Sequence, residues 1–191
     1  MELAAKQGVF RAADVRPLGI SAGYLYDLSQ AGHLVHLGRG MFALPDYPFT
    51  EHHNLVEAAR YAPGAVVCLL SALRFHGLGT QSPHAVWLAI GNKARVPRVP
   101  TVDVQPVRMS PATLTEGVET HILEGIQMHI FSAAKTVADC FKFRSTVGLD
   151  VAIEALKDGL DRHVFQPSDL YVPAVTNRVW TVARPYLEAF Q

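Results

Sequence analysis

The chain has 191 residues and a mass of 20.9 kDa, enough to bury a core without disulfides or metals. An apolar fraction of 49% and a charged fraction of 18% exclude bulk disorder. Seventeen cations against 17 anions give zero net charge, which excludes a uniformly basic nucleic-acid coat but not a sequence-reading module with a small cationic face. The longest apolar run, Ala65–Leu70, is too short to span a bilayer, and Met1–Lys6 lacks a signal peptide's apolar centre, so a cytoplasmic protein with no membrane role is expected. Cys68 and Cys140 each sit among apolar residues and read as small buried side chains, not as a disulfide or zinc pair.

Two prolines within Leu44–Phe49 interrupt regular structure and divide the chain into an expected domain over residues 1–46 and a second over residues 50–191. In the first, Glu2–Gln7 is predicted as one or two helical turns ended by Gly8, Val9–Phe10 as extended, and Arg11–Val15 as a short helix. Pro17–Ile20 forms a turn. Ser21 then fits an N-cap, with Ile20 and Leu25 at the two positions of a hydrophobic staple. That helix runs to Ala31, and Gly32 stops it. Strands Leu34–Leu37 and Met41–Leu44 flank a Gly38-Arg39-Gly40 turn. The order helix, helix, turn, helix, hairpin is that of a winged helix-turn-helix.

The second segment reads as mixed, so the expected fold class is α+β, a winged helix-turn-helix followed by a mixed α+β domain. Glu51–Tyr61 and Cys68–His76 are predicted helices, stopped by Pro63-Gly64 and by Gly77. Ala85–Ile90 and Thr101–Val107 are predicted strands separated by a loop bearing Pro and Arg. His121–Leu123 and Ile126–Ile130 flank Glu124-Gly125 as a hairpin with a two-residue turn. From Ser132 onward the pattern is helical. Leu149, Ile153, Leu156 and Leu160 share one stripe, and helices over Pro167–Tyr171 and Val179–Phe190 close the chain.

An α-helix fits the major groove of B-DNA and can read base edges with its outward side chains. In the helix from Ser21, Leu25 and Leu28 define the buried side, and Gly23, Tyr26, Asp27 and Gln30 lie opposite. Gln30 suits an adenine edge, and Tyr26 can reach a phosphate or a thymine methyl. His33, His36 and Arg39 of the hairpin, beside its glycine turn, add a backbone or minor-groove contact. Ser21 and Tyr24 at the helix start, with Tyr26, Gln30, His36 and Arg39, form the candidate DNA-binding set. Lys6, Arg11, Arg16 and Arg39 are balanced by Glu2, Asp14, Asp27 and Asp46, so a winged module that binds protein instead of DNA is the alternative.

The strings Gly8-Val9-Phe10-Arg11, Leu18-Gly19-Ile20-Ser21, Gly32-His33-Leu34-Val35 and Gly38-Arg39-Gly40-Met41-Phe42-Ala43-Leu44 resemble the N-terminal domain of AbiEi-type antitoxins. The resemblance continues through Leu70-Ser71-Ala72-Leu73-Arg74-Phe75-His76-Gly77-Leu78, through Ser132 to Lys142 and through Gly148 to Leu156. It implies a bacterial antitoxin of a type IV toxin–antitoxin pair that also represses its own promoter. The implied partners are operator DNA with inverted repeats, bound by two copies of the chain, and a nucleotidyltransferase-like toxin opposed without a stable complex. Neither implication follows from composition or spacing. A short first helix, a winged segment that is not basic, and Pro173 within a stretch that is usually one helix depart from the family pattern.

Catalytic patterns find little support, and a non-enzyme without cofactors is expected, with a winged regulator unrelated to a toxin or a nucleotide-modifying enzyme as alternatives. His52 and His53 are adjacent and point about 100° apart on a helix, while His76, His84, His121 and His129 are isolated, so no metal site is expected. Ser71 and His76 are poorly placed to bond each other, Gly-x-Ser-x-Gly is absent, and Gln105 stands where a nuclease would pair a second carboxylate with Asp103. Lys135, Asp139 and Lys142 fall on nearly one face of a predicted helix with Arg144 close behind. They are expected to be exposed, either as a solvated face with one ion pair or as the surface responsible for antitoxicity.

Overall fold

The computed structural model describes residues 9–38, 40–46 and 50–190. The expected helix over Glu2–Gln7, the tip residue Arg39 and the centre of the proline-bearing junction lie outside them. The chain divides into two compact units. One takes residues 1–53 with the hairpin tip 122–126, and the other takes residues 54–121 and 127–191.

The first unit begins with strand β1 (Val9–Arg11), helix α1 (Ala12–Val15) and a 3-10 turn over Arg16–Leu18. Helix α2 (Ala22–Gln30) follows, then strands β2 (Val35–Gly38) and β3 (Met41–Ala43). Ser21 caps α2 by accepting the Tyr24 amide at 3.1 Å, and Gly32 takes the left-handed φ of 78° that ends the helix. β3 lies between β1 and β2, antiparallel to both. Phe10, Phe42 and His36 stand directly opposite one another across the three strands and therefore share one face. Phe10 and Phe42 join Val15, Leu25 and Leu34 in a small core, against which Ile20 and Leu28 pack. The described residues thus contain the helix, turn, helix and hairpin expected from the sequence.

The second unit is α+β. It holds helix α3 (His53–Tyr61), strand β4 (Val66–Val67), helix α4 (Leu69–His76), strands β5 (Val86–Gly91) and β6 (Val104–Met109) and helix α5 (Pro111–Thr115). The hairpin β7 (Val118–Leu123) and β8 (Ile126–Phe131) comes next. Helices α6 (Ala133–Lys142), α7 (Arg144–Val147), α8 (Leu149–Asp161), α9 (Tyr171–Thr176) and α10 (Trp180–Ala189) complete the chain. The strands form one mixed sheet in the order β6-β5-β4-β8-β7. β4 is only two residues long yet central, antiparallel to β5 and parallel to β8. No strand is legible in this stretch of sequence, because its apolar run passes without a break into α4.

The hairpin turn is the expected pair Glu124-Gly125, with φ of 50° and 72°. Left-handed backbone is costly for a glutamate. Here its side chain is fully buried and accepts bonds from the Thr50 amide at 2.9 Å and the Thr50 hydroxyl at 3.0 Å, and it meets His53 Nδ1 at 2.7 Å. Those bonds hold the turn against the segment that enters α3.

The core lies between the sheet and helices α4, α6, α8 and α10. The buried face of α8 centres on Ala152, Ala155, Leu156 and Gly159, shifted from the expected leucine stripe because small residues allow close approach. A Cβ at Gly159 would run into the Phe165 ring, so any larger residue there would require that ring to move. No described helix is long and apolar enough to cross a membrane.

His76 ends α4 and donates Nε2–H to the Phe131 carbonyl at the end of β8, at 2.8 Å. Burial lowers its pKa, opposed by the Phe131 bond and by Glu119, and reinforced by His121. A lowered folded value means that the unfolded chain takes up the proton first as pH falls. Stability is therefore intact above the ordinary histidine value of about 6.5 and declines as pH drops through and below it. Melting temperatures between about pH 8 and pH 5 will fall for the wild type, and His76→Gln will flatten that decline.

Candidate nucleic-acid interface and a buried charge network

The first unit presents one helix face. Leu25 is 3% exposed in the core, whereas Ser21, Tyr24, Tyr26 and Gln30 are all exposed on the other sides of α2. Tyr26 is 42% exposed, because one side of its ring packs across the hairpin. Its centroid lies 4.8 Å from His36 and 5.4 Å from Phe42, both edge-on, and His36 lies 5.0 Å from Phe42. A row of rings therefore runs from the buried Phe10 through Phe42 to the exposed Tyr26 and His36. It joins the helix to the hairpin strand, an aromatic link the sequence reading did not anticipate. The register that creates it becomes visible only once β3 is placed between its neighbours. Five of the six candidate residues lie in this helix and hairpin, and Arg39 falls outside the described residues.

The second candidate group requires correction. Lys135 and Asp139 were expected on an exposed face, but both are fully buried. α6 is packed against α4, α7, α8, α9, α10 and the turn Pro167–Leu170, so every face of its first two turns is covered. Inside, Lys135 Nζ donates to Asp139 Oδ1 and lies 4.4 Å from the centre of the Phe131 ring. Asn177, at the end of α9, donates to the same carboxylate oxygen at 2.6 Å, and its own carbonyl accepts from Lys142 at 3.2 Å. Burial raises the Asp139 pKa, opposed by Lys135, Asn177 and Lys142. Arg144 is exposed and donates to the Phe141 carbonyl at 2.9 Å, closing the end of the helix. Spacings of four and three describe which residues share a helix face, not which face meets solvent.

Exposed cations of this unit include Lys93, Arg95 and Arg98 on the loop after β5. Arg108 on β6 braces that loop by donating to the carbonyls of Gly91 at 3.2 Å, Asn92 at 2.5 Å and Ala94 at 3.1 Å.

Ser71 and His76 are not brought together. Ser71 accepts the Trp87 amide at 3.0 Å while His76 serves Phe131, so the two point to different partners. Among the described residues no three His, Cys, Asp or Glu side chains converge as a metal site. Cys68 and Cys140 are buried, and burial raises both thiol pKa values, which keeps the thiols protonated and unreactive.

Residues 1–45 match the family described as transcriptional regulator, AbiEi antitoxin. No curated protein matches the chain significantly. Among solved structures, the RV2827C protein from Mycobacterium tuberculosis is similar over 99% of this chain and 74% of that one, with a TM-score of 0.63 and 15% identity. Identity that low carries the fold alone.

The burial of Lys135 and Asp139 makes a stability prediction. Removing one partner leaves an uncompensated charge in the core, so Asp139→Ala and Lys135→Ala will each destabilise by about 3–5 kcal/mol. The double variant Lys135→Met/Asp139→Leu will recover most of that loss, because apolar side chains of similar volume need no partner. Urea denaturation of the three variants measures it.

Proposed function

We propose that this protein is an AbiEi-like antitoxin and autorepressor: it binds its own promoter through the first unit and opposes a nucleotidyltransferase-like toxin, without catalysis of its own. The observation that carries the reading is the exposed face of α2. Ser21, Tyr24, Tyr26 and Gln30 stand clear on a helix fixed by Leu25, beside a hairpin, within the stretch that matches an AbiEi transcriptional regulator. In a winged helix-turn-helix that helix enters the major groove and the hairpin lies along the backbone. Two copies bound head to head match an inverted repeat.

Opposition to a toxin belongs in this reading to the second unit. With Lys135 and Asp139 buried, its exposed Arg144 remains a candidate for that task, together with the exposed Lys93, Arg95 and Arg98. Co-expression with the gene next to its own tests this directly. Rescue of growth from a nucleotidyltransferase-like product supports the antitoxin reading, and unrelieved toxicity, or no toxic neighbour, sinks it.

For DNA the expectation is quantitative. Gln30→Ala will cost about 1–3 kcal/mol against the native operator and relax base preference at one position. Tyr26→Ala will weaken binding to all sequences, since its ring also positions His36. With few fixed cations, the slope of log K against log salt will be shallow, at about −0.9 per phosphate contact. Gel shifts with the upstream region of the gene measure all three, and no retardation by the intact protein would defeat the reading.

A further inference from the structure

The first unit has a charge problem that its structure addresses in one place. Over residues 1–50 four arginines and lysines are cancelled by four carboxylates, and Glu51 and Glu124 add two more to the unit, so fixed charge gives it no net attraction for a polyanion. Within residues 1–50 the histidines that can change this balance are His33 and His36, both exposed. Protonating both takes the segment from zero to a net charge of two positive. Histidine is the side chain whose charge changes within the physiological range.

The two are not equivalent. His33 sits in the turn between α2 and β2, whereas His36 is on β2 and held by two rings. Tyr26 approaches from α2 at 4.8 Å and Phe42 from β3 at 5.0 Å. Of the two rings that face the imidazole among the described residues, the Tyr26 phenol is the titratable one. Aromatic rings at this distance can seat a cation, and they fix the imidazole plane at the junction of helix and hairpin. When the ring takes a proton from solvent, both nitrogens become donors and it can make a charge-assisted bond to a phosphate oxygen.

We propose that His36 is a proton-linked phosphate contact, so that acid strengthens DNA binding by the first unit. The inference rests on the DNA-binding reading and adds its regulation: the strength of binding follows pH through one residue. It acts on the backbone, so it applies to any duplex and leaves base preference unchanged.

The test is fluorescence anisotropy at about pH 6 and about pH 8 over a salt series, with the upstream duplex and with a random-sequence duplex. Circular dichroism at both pH values supplies the folded fraction, against which binding is scaled. The wild type is expected to bind both duplexes about fivefold tighter in acid, and the salt slope to steepen by about 0.9, the signature of one added phosphate contact. His36→Gln is expected to bind within about twofold at the two pH values with no change of slope. His33→Gln is expected to keep the wild-type dependence. A His36→Gln variant that retains the acid enhancement, an enhancement lost in His33→Gln instead, or a wild-type slope that does not change with pH overturns the assignment. Wild-type binding to the upstream duplex with no pH dependence overturns His36 alone and leaves the DNA-binding reading standing. Failure to bind either duplex at any pH overturns both.

Discussion

The second unit is organised around a helix that has no solvent face. Once α6 is enclosed by α4, α8, α9 and α10, its lysine and its aspartate must satisfy each other in the interior. An isolated buried charge is costly enough to unfold a domain of ordinary stability. The pairing of Lys135 with Asp139 therefore constrains everything that touches α6. Asn177 must reach the carboxylate from the end of α9, the Phe131 ring must lie near the ammonium, and Lys142 must turn toward Asn177. Each of these comes from a different part of the chain. The network thus specifies how the last helices dock, beyond what apolar area alone would specify.

The first unit solves a different problem with different means. It is too small to bury much apolar surface, and its core consists of Phe10, Val15, Leu25, Leu34 and Phe42. The rings are arranged in register, so the same row that fills the core emerges at the surface as Tyr26 and His36. Core packing and the exposed helix face are therefore linked: the exposed rings of Tyr26 and His36 are positioned by contact with the residues that hold the unit together. Rigid aromatic contacts fix the helix against the hairpin without long, mobile side chains.

The Glu124 turn shows the same economy on a smaller scale. A left-handed glutamate would be strained on its own, yet its buried carboxylate receives the Thr50 amide and hydroxyl and meets His53. One residue closes the β7–β8 hairpin and holds the start of α3.

Much of the local structure was legible in the residues themselves. Ser21 as a cap, Gly32 as a stop and Glu124-Gly125 as a two-residue turn depend on interactions within three or four positions, and local sequence contains all the information such interactions use. The helix over 133–142 and its apolar side were equally legible. What residue order could not show was the environment of the other side. Lys135, Asp139 and Lys142 have the spacing of a solvated face, and only packing by elements remote along the chain, with Gly117 against the Lys135 stem and Asn177 on Asp139, buries the first two. The two-residue strand β4 is central for the same reason: β5 and β8 pair with it from distant parts of the chain, while its own residues continue without a break toward α4. Periodicity determines which residues share a face. Tertiary packing decides what that face meets, because burial depends on partners that are neighbours in space and remote along the chain.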